Sequence, residues 1–441
     1  MKSRTTYFNV LAILLSVLMS CSKKPETIVT ELYKSIYDGE WEKAAPMILP
    51  DSLENLTPDE IKFLAEEFSR YFPAGKVIES IKTDSASYNE SKDKITYAVT
   101  VSFNDSTTFT EHGSLMKNAE GKWKLTDYMP EEGEKIPFEI TLFEYPTEMK
   151  PNLKRAIIML GAERNLPEYQ YFAAPYYIYA PYPVDREKYV ELITKASEAN
   201  YIPAMKELAD RYNSYFFEGK IMTENHLELT KKMASLGDLE AKARLAWYQR
   251  EGSNGFTKDL AAAQKAFQDA YNAGISEGAF GLGYMTGQGE IGQQDRAKAL
   301  AYYKEAAELG HKDAAFNVYL YYSKGWGTKR NWDEGVRLEQ EYRDKALGLD
   351  RSQYKANDPK LIFDISILEI KKGDISGYPY KSLGEKYEFG EGVEQDLEKA
   401  KYCYRRDAAL SYDSSRKERI RSRGFVKDPV IPMEEFKEIY K

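Results

Sequence analysis

The stretch Asp295–Gly310, DRAKALAYYKEAAELG, decides how this chain is read. It opens on an aspartate suited to cap a helix and closes on a glycine suited to leave one. Ala299, Tyr302, Tyr303, Ala306 and Ala307 stand 4, 7, 8, 11 and 12 residues past the aspartate, which is one face of an α-helix. Small residues alternate there with aromatic plates. A face of this size cannot make a core alone and needs neighbouring helices of the same kind.

The chain supplies them by repeating the pattern. Asp185 and Asn200, Asp259 and Gly274, Asp295 and Gly310, and Asp333 and Gly348 are each 15 residues apart. Another copy ends at Leu236-Gly237, with Thr223 as its expected cap. Exits at 200, 237, 274, 310 and 348 are separated by 37, 37, 36 and 38 residues, a period that signals stacked helix pairs. Four residues after the first four exits stand Ala204, Ala241, Gly278 and Ala314, and four beyond each stand Leu208, Leu245, Leu282 and Val318. These predict the first helix of each pair, the aspartate-capped stretch being the second. Gly252, Gly289 and Gly325 mark the tight turn between the two.

The clearest copies read AAFNVYLYYSKGWG at 314–327 and SLGEKYEFGEGVEQDLEKAKYCYRRDAA at 382–409. The latter holds Leu383-Gly384, Tyr387, Gly390, Gly392-Val393, Asp396, Lys399-Ala400 and Tyr404 in the order of the Sel-1-like repeat, a relative of the tetratricopeptide repeat, which it resembles. The resemblance implies an all-α, α/α superhelical solenoid over 185–412 and binding to another protein, with no catalytic residues to carry over. Two departures stand out. After Asp333, Arg337, Glu341 and Lys345 fall where the face should be apolar. Asp358, followed by Pro359, and Gly373 are again 15 residues apart, but the first helix of this pair is expected to shrink to the loop Leu349 to Asn357, an irregular insert near 349–377. Partner binding is expected on the first helices, at Tyr319, Tyr322 and Trp326, and at the break after Gly348.

The N-terminus reads as a targeting segment. Lys2 and Arg4 precede the apolar run Val10 to Met19, too short to span a membrane. Leu18-Met19-Ser20-Cys21 resembles the lipobox of bacterial lipoproteins. That implies a signal peptide over 1–20, lipid (palmitate included) on Cys21, a tether over 21–24, and anchorage in the cell envelope, outer membrane first. The only other cysteine, Cys403, sits on an expected helix face, so no intrachain disulfide is expected.

Residues 25–129 read as α+β: Val29, Leu32, Tyr33 and Ile36 form a helical stripe, Trp41 to Ile48 a second helix, and Thr57-Pro58 the start of a third. The period then changes to two, with Ile95, Tyr97, Val99, Val101 and Phe103 on one side of a strand. Strands are also expected near 77–88, 107–116 and 122–128. Helices followed by a curved antiparallel sheet, opening on ELYKSIYDGEWEKA and closing on GKWKL, resemble the cone of nuclear-transport-factor-2-like lipoproteins. Such a cone is either filled or holds a small ligand.

Residues 130–184 form a Pro/Tyr-rich connecting and capping region, with a helix expected over 151–165. Its strip of tyrosines from Tyr169 to Tyr182 could stack on sugars, but packing over the end of the array is the commoner role. Past 412 the chain turns basic, from Arg416 to Lys427, and 413–441 is expected to cap the array.

A net charge of −8 argues against a general nucleic-acid binder. His112, His226 and His311 lack metal-ligand spacing. No nucleophile–base pair, metal cluster or phosphate loop stands out, so no catalytic residue and no cofactor is expected. The expected function is that of a membrane-anchored scaffold for another envelope protein, with a glycan or small-ligand binder as the alternative.

Overall fold

The computed structural model describes residues 24–50, 53, 56–70, 77–126, 149–179, 182–214, 222–372 and 377–410. Residues 1–20, Cys21, Gly373 and the basic cap expected over 413–441 lie outside the described residues. The chain divides into two compact units, Met1–Ala173 and Ala174–Lys441.

In the first unit α1 (Pro25–Tyr37), α2 (Trp41–Ile48) and α3 (Pro58–Ser69) precede strands β1 (Ile78–Tyr88), β2 (Lys94–Phe103), β3 (Thr108–Lys117) and β4 (Trp123–Leu125). The strands pair antiparallel in sequence order. Thr57 and Glu60 form a reciprocal capping box at the start of α3. The period-two face of β2 is buried as its alternation predicts, and α1 buries its own stripe. Helix α1 meets β1 where Thr30 and Thr83 share a 2.7 Å hydrogen bond, and β2 where Tyr33 stands edge-on to Tyr97 at 5.8 Å.

Two more helices, α4 (Met149–Glu163) and α5 (Pro167–Ala173), belong to this unit. The reason is a continuous apolar stripe, Leu153, Ala156, Ile157 and Leu160, all buried. The buried Arg155 donates from Nη1 to Glu67 Oε2 on α3 at 2.5 Å. Residues 130–184 thus contribute to both units.

The second unit begins with a short 3₁₀ turn, Ala174–Tyr177, and α6 (Arg186–Glu198). Helix pairs follow: α7 (Ile202–Tyr212) with α8 (Thr223–Ser235), α9 (Leu239–Glu251) with α10 (Leu260–Asn272), α11 (Ser276–Gln288) with α12 (Arg296–Glu308), and α13 (Lys312–Lys324) with α14 (Trp332–Leu347). Then come α15 (Pro359–Lys371), α16 (Tyr378–Phe389) and α17 (Leu397–Leu410). Asp185, Asp259 and Asp295 accept the backbone N–H of Lys188, Ala262 and Lys298 at 2.9, 2.8 and 2.9 Å. Asn200, Gly237, Gly274, Gly310 and Gly348 all leave their helices with positive φ, the conformation for which the exits select these residues.

Two caps differ from the spacing. Thr223 is the first helical residue of α8, and Met222 before it makes no side-chain cap. Asn331, not Asp333, caps α14 by accepting the N–H of Glu334 at 3.1 Å. Counted from Asn331, Gly335, Leu338 and Tyr342 fall at offsets 4, 7 and 11 and pack inward. Arg337, Glu341 and Lys345 are thereby turned to surface ion pairs with Glu334, with Arg337 and with Glu308. The apolar face is intact; only the cap had moved two residues upstream. Between α14 and α15 a 3₁₀ turn, Arg351–Gln353, stands where a first helix is missing, and Asp358 caps α15.

Candidate functional site

The first helices of successive pairs share one set of positions that is half-open or exposed wherever it carries a large side chain and closed only at Ala243. Counting from Ala241, Gly278 and Ala314, two residues on lie Ala243, Phe280 and Phe316, and six residues on lie Trp247, Tyr284 and Leu320. The resulting row carries large aromatic rings, and Phe316 is 52% exposed.

Polar side chains tie these helices together along the same row. Lys206 on α7 reaches Asp238 and Glu240 at 2.9 Å each. Arg244 on α9 pairs with Asp210 and with Glu240, also at 2.9 Å. Trp247 donates its indole N–H to Glu277 Oε1 on α11 at 2.5 Å, and His311 Nε2 lies 3.3 Å from Glu277 Oε2. His311 also caps α13 by accepting the N–H of Ala314 at Nδ1. With Nδ1 as acceptor the proton belongs on Nε2, facing the carboxylate. The imidazole stacks on Phe280 at 4.1 Å. Arg250 lies over the rings of Tyr284 and Trp247, 4.4 and 5.4 Å from their centroids.

The electrostatics follow from this packing. Burial pushes the Glu277 carboxyl up, but the bonds from His311 and Trp247 outweigh it and hold the group below its ordinary value. Glu240 behaves likewise: burial raises it, while Lys206 and Arg244 bring it down. The row is therefore a set of rings set among charges that already have partners. Such a surface is suited to contact rather than to proton transfer.

The residues singled out from sequence divide. Tyr319 is half-buried, 5.8 Å from the Phe316 ring. Tyr322 accepts from Lys304 Nζ at 2.9 Å. Trp326 packs edge-on against Tyr321 at 5.5 Å beneath Arg296. Tyr322 and Trp326 are thus engaged with the second helix α12, and Tyr319 stays beside the row. Sequence reasoning missed Phe316, Trp247, Glu277 and His311. Aligning the first helices position by position would have found the rings; nothing in the spacing pairs Trp247 with Glu277.

Among the described residues of the Tyr-rich strip Tyr176, Tyr179 and Tyr182 are buried, with Tyr176 edge-on to Tyr182 at 5.1 Å, while Phe172 and Tyr177 are half-buried. In the first unit Tyr33 donates to the buried Glu111 at 2.9 Å, and His112 is exposed on β3. Among the described residues no group of three or more His, Cys, Asp or Glu side chains is placed to hold a metal ion.

Residues 276–311 and 382–412 match the family model of the Sel1 repeat. No curated protein matches the chain. Among solved structures it is similar to a protective antigen of uropathogenic Escherichia coli strains displaying an SLR fold, at 22% identity and a TM-score of 0.32. That match covers 64% of this chain and 54% of the other, so the chain spans about half the length of that protein. It is also similar to a Sel1 repeat protein from Oxalobacter formigenes, at 20% identity and a TM-score of 0.28, over 58% of this chain and 96% of that one. The second unit is a helical array that carries Sel1 repeats.

Proposed function

We propose that this protein is a lipid-anchored scaffold of the bacterial cell envelope that binds another protein along the first helices of its repeat array. One observation carries the reading: the row through Trp247, Phe280, Tyr284 and Phe316 keeps aromatic surface open on a rigid face whose charges are already paired. Aromatic anchors on a preformed surface are the usual source of contact energy in protein interfaces. The Sel1 repeats support an adaptor role, and we read the chain as a binder and not an enzyme. The first unit, helices followed by a meander sheet, we read as a nuclear-transport-factor-2-like cone. The burial of Tyr176, Tyr179 and Tyr182 favours protein binding over the glycan-binding alternative.

A photo-activatable residue placed at Phe316 should capture an envelope protein that the same residue at Lys265, on the exposed side of α10, does not. Capture at both positions alike, or binding to purified polysaccharide alone, would overturn the scaffold reading. The anchor has a separate test. Cys21→Ser should move the protein from the membrane fraction to the soluble one, and an unchanged membrane fraction would refute lipidation.

A further inference from the structure

We propose that the second unit is locked by a clasp between its two ends, centred on Arg406. Arg406 lies on α17, the last described helix, and is fully buried. Its guanidinium donates from Nη2 to the Ile178 carbonyl at 2.6 Å and from Nη1 to the Tyr182 carbonyl. The ring of Tyr380, on α16, lies 5.4 Å beneath it. Arg186 on α6 answers from the other end, donating from Nη1 to the carbonyl of Leu410, the last residue of α17, at 2.5 Å.

The partners in these bonds are separated by 228, 224 and 224 residues. In an open stack each repeat touches only its neighbours, and the two ends fray independently. Here the end segments satisfy each other. The carbonyls of Ile178 and Tyr182 lie in irregular chain ahead of α6, where no helix supplies donors, and a buried cation requires acceptors of this kind. The planar guanidinium reaches both carbonyls at once, which a lysine ammonium would not do in the same geometry. The buried Tyr-rich strip is therefore one half of a closure rather than a simple terminal cap. Opening of α17 and opening of residues 176–198 become one event, and the curvature of the first-helix face is set in advance.

Cys403, buried on α17, reports that opening. In the full chain carrying Cys21→Ser it is the only thiol, and its rate of reaction with an aromatic disulfide reagent under native conditions measures exposure of α17. Arg186→Gln, 217 positions away, should raise that rate about tenfold, the size expected from loss of one hydrogen bond made by a charged group. Phe316→Ala, in the middle of the array, should leave it unchanged. In the reverse direction, Arg406→Lys should speed amide hydrogen exchange in 186–198 as well as in 397–410. A wild-type Cys403 rate in Arg186→Gln would overturn the clasp, as would exchange in Arg406→Lys that rises only in 397–410. Should Arg406→Lys fail to fold, the Arg186→Gln measurement decides alone.

Discussion

Trp247 and Glu277 join two successive repeats: the indole N–H of one first helix meets the carboxylate of the next at 2.5 Å. Glu277 then meets His311, the cap of the next first helix, α13. Three helices thus share one half-buried carboxylate, and its charge state is a property of the array rather than of any repeat.

That carboxylate should leave a mark on acid stability. Its folded pKa lies below the ordinary 4.5, because the bonds from His311 and Trp247 outweigh the upward push of burial. The unfolded chain therefore binds the proton first, and stability falls with pH in that range. The contribution is complete above about pH 4.5 and is lost as pH falls through the lower folded value. Glu277→Gln should flatten this limb of a stability–pH profile measured by urea denaturation. Trp247→Phe should cost about 1–3 kcal/mol at neutral pH by removing a hydrogen bond made to a charged group. Coincident acid limbs for Glu277→Gln and wild type would refute the assignment.

Gly278 stands where the other copies carry Ala204, Ala241 and Ala314. A Cβ added there would lie 2.2 Å from the backbone nitrogen of Tyr271 and 2.6 Å from the Phe267 carbonyl oxygen. Backbone cannot step aside as a flexible side chain can. Gly278→Ala is expected to destabilise by about 1–3 kcal/mol despite raising helix propensity. Thermal unfolding checks this, and a neutral or stabilising result would show that α10 and α11 can separate freely.

Phe267 and Phe316 separate packing from display. Phe267 is fully buried between α10 and α11, whereas Phe316 is half exposed. Phe267→Ala should cost about 3–5 kcal/mol. Phe316→Ala should stay within about 0.5 kcal/mol of wild type yet weaken partner capture. Loss of stability in both would place Phe316 in the core and remove it from the binding row.

Glu60 carries a prediction for the first unit. The hydrogen bonds from Arg164 come first among the causes that bring its carboxyl down to about 2, with the Thr57 cap N–H helping. Its share of stability is complete above its ordinary 4.5 and lost as pH falls toward 2. In an NMR titration Glu60 should show a midpoint near 2 in the wild type and return toward the ordinary carboxylate range in Arg164→Ala. Equal midpoints would refute the pairing.

The amino-acid sequence by itself determined the parts whose physics is local. An aspartate that caps, a glycine that leaves by positive φ and a fixed interval between them specify a helix without reference to the rest of the molecule, which is why α10 and α12 were legible. The alternation of Ile95 through Phe103 specified β2 in the same way. Tertiary structure decided what depends on surfaces meeting. Asn331 and Asp333 are both competent caps, and the choice fell to Asn331 because only that register turns Leu338 and Tyr342 inward. The Trp247–Glu277–His311 contact and the Arg406 clasp involve residues 30 to 228 positions apart. A repeat period carries information about neighbours only, so it could describe each helix of this array while leaving open how its two ends would meet.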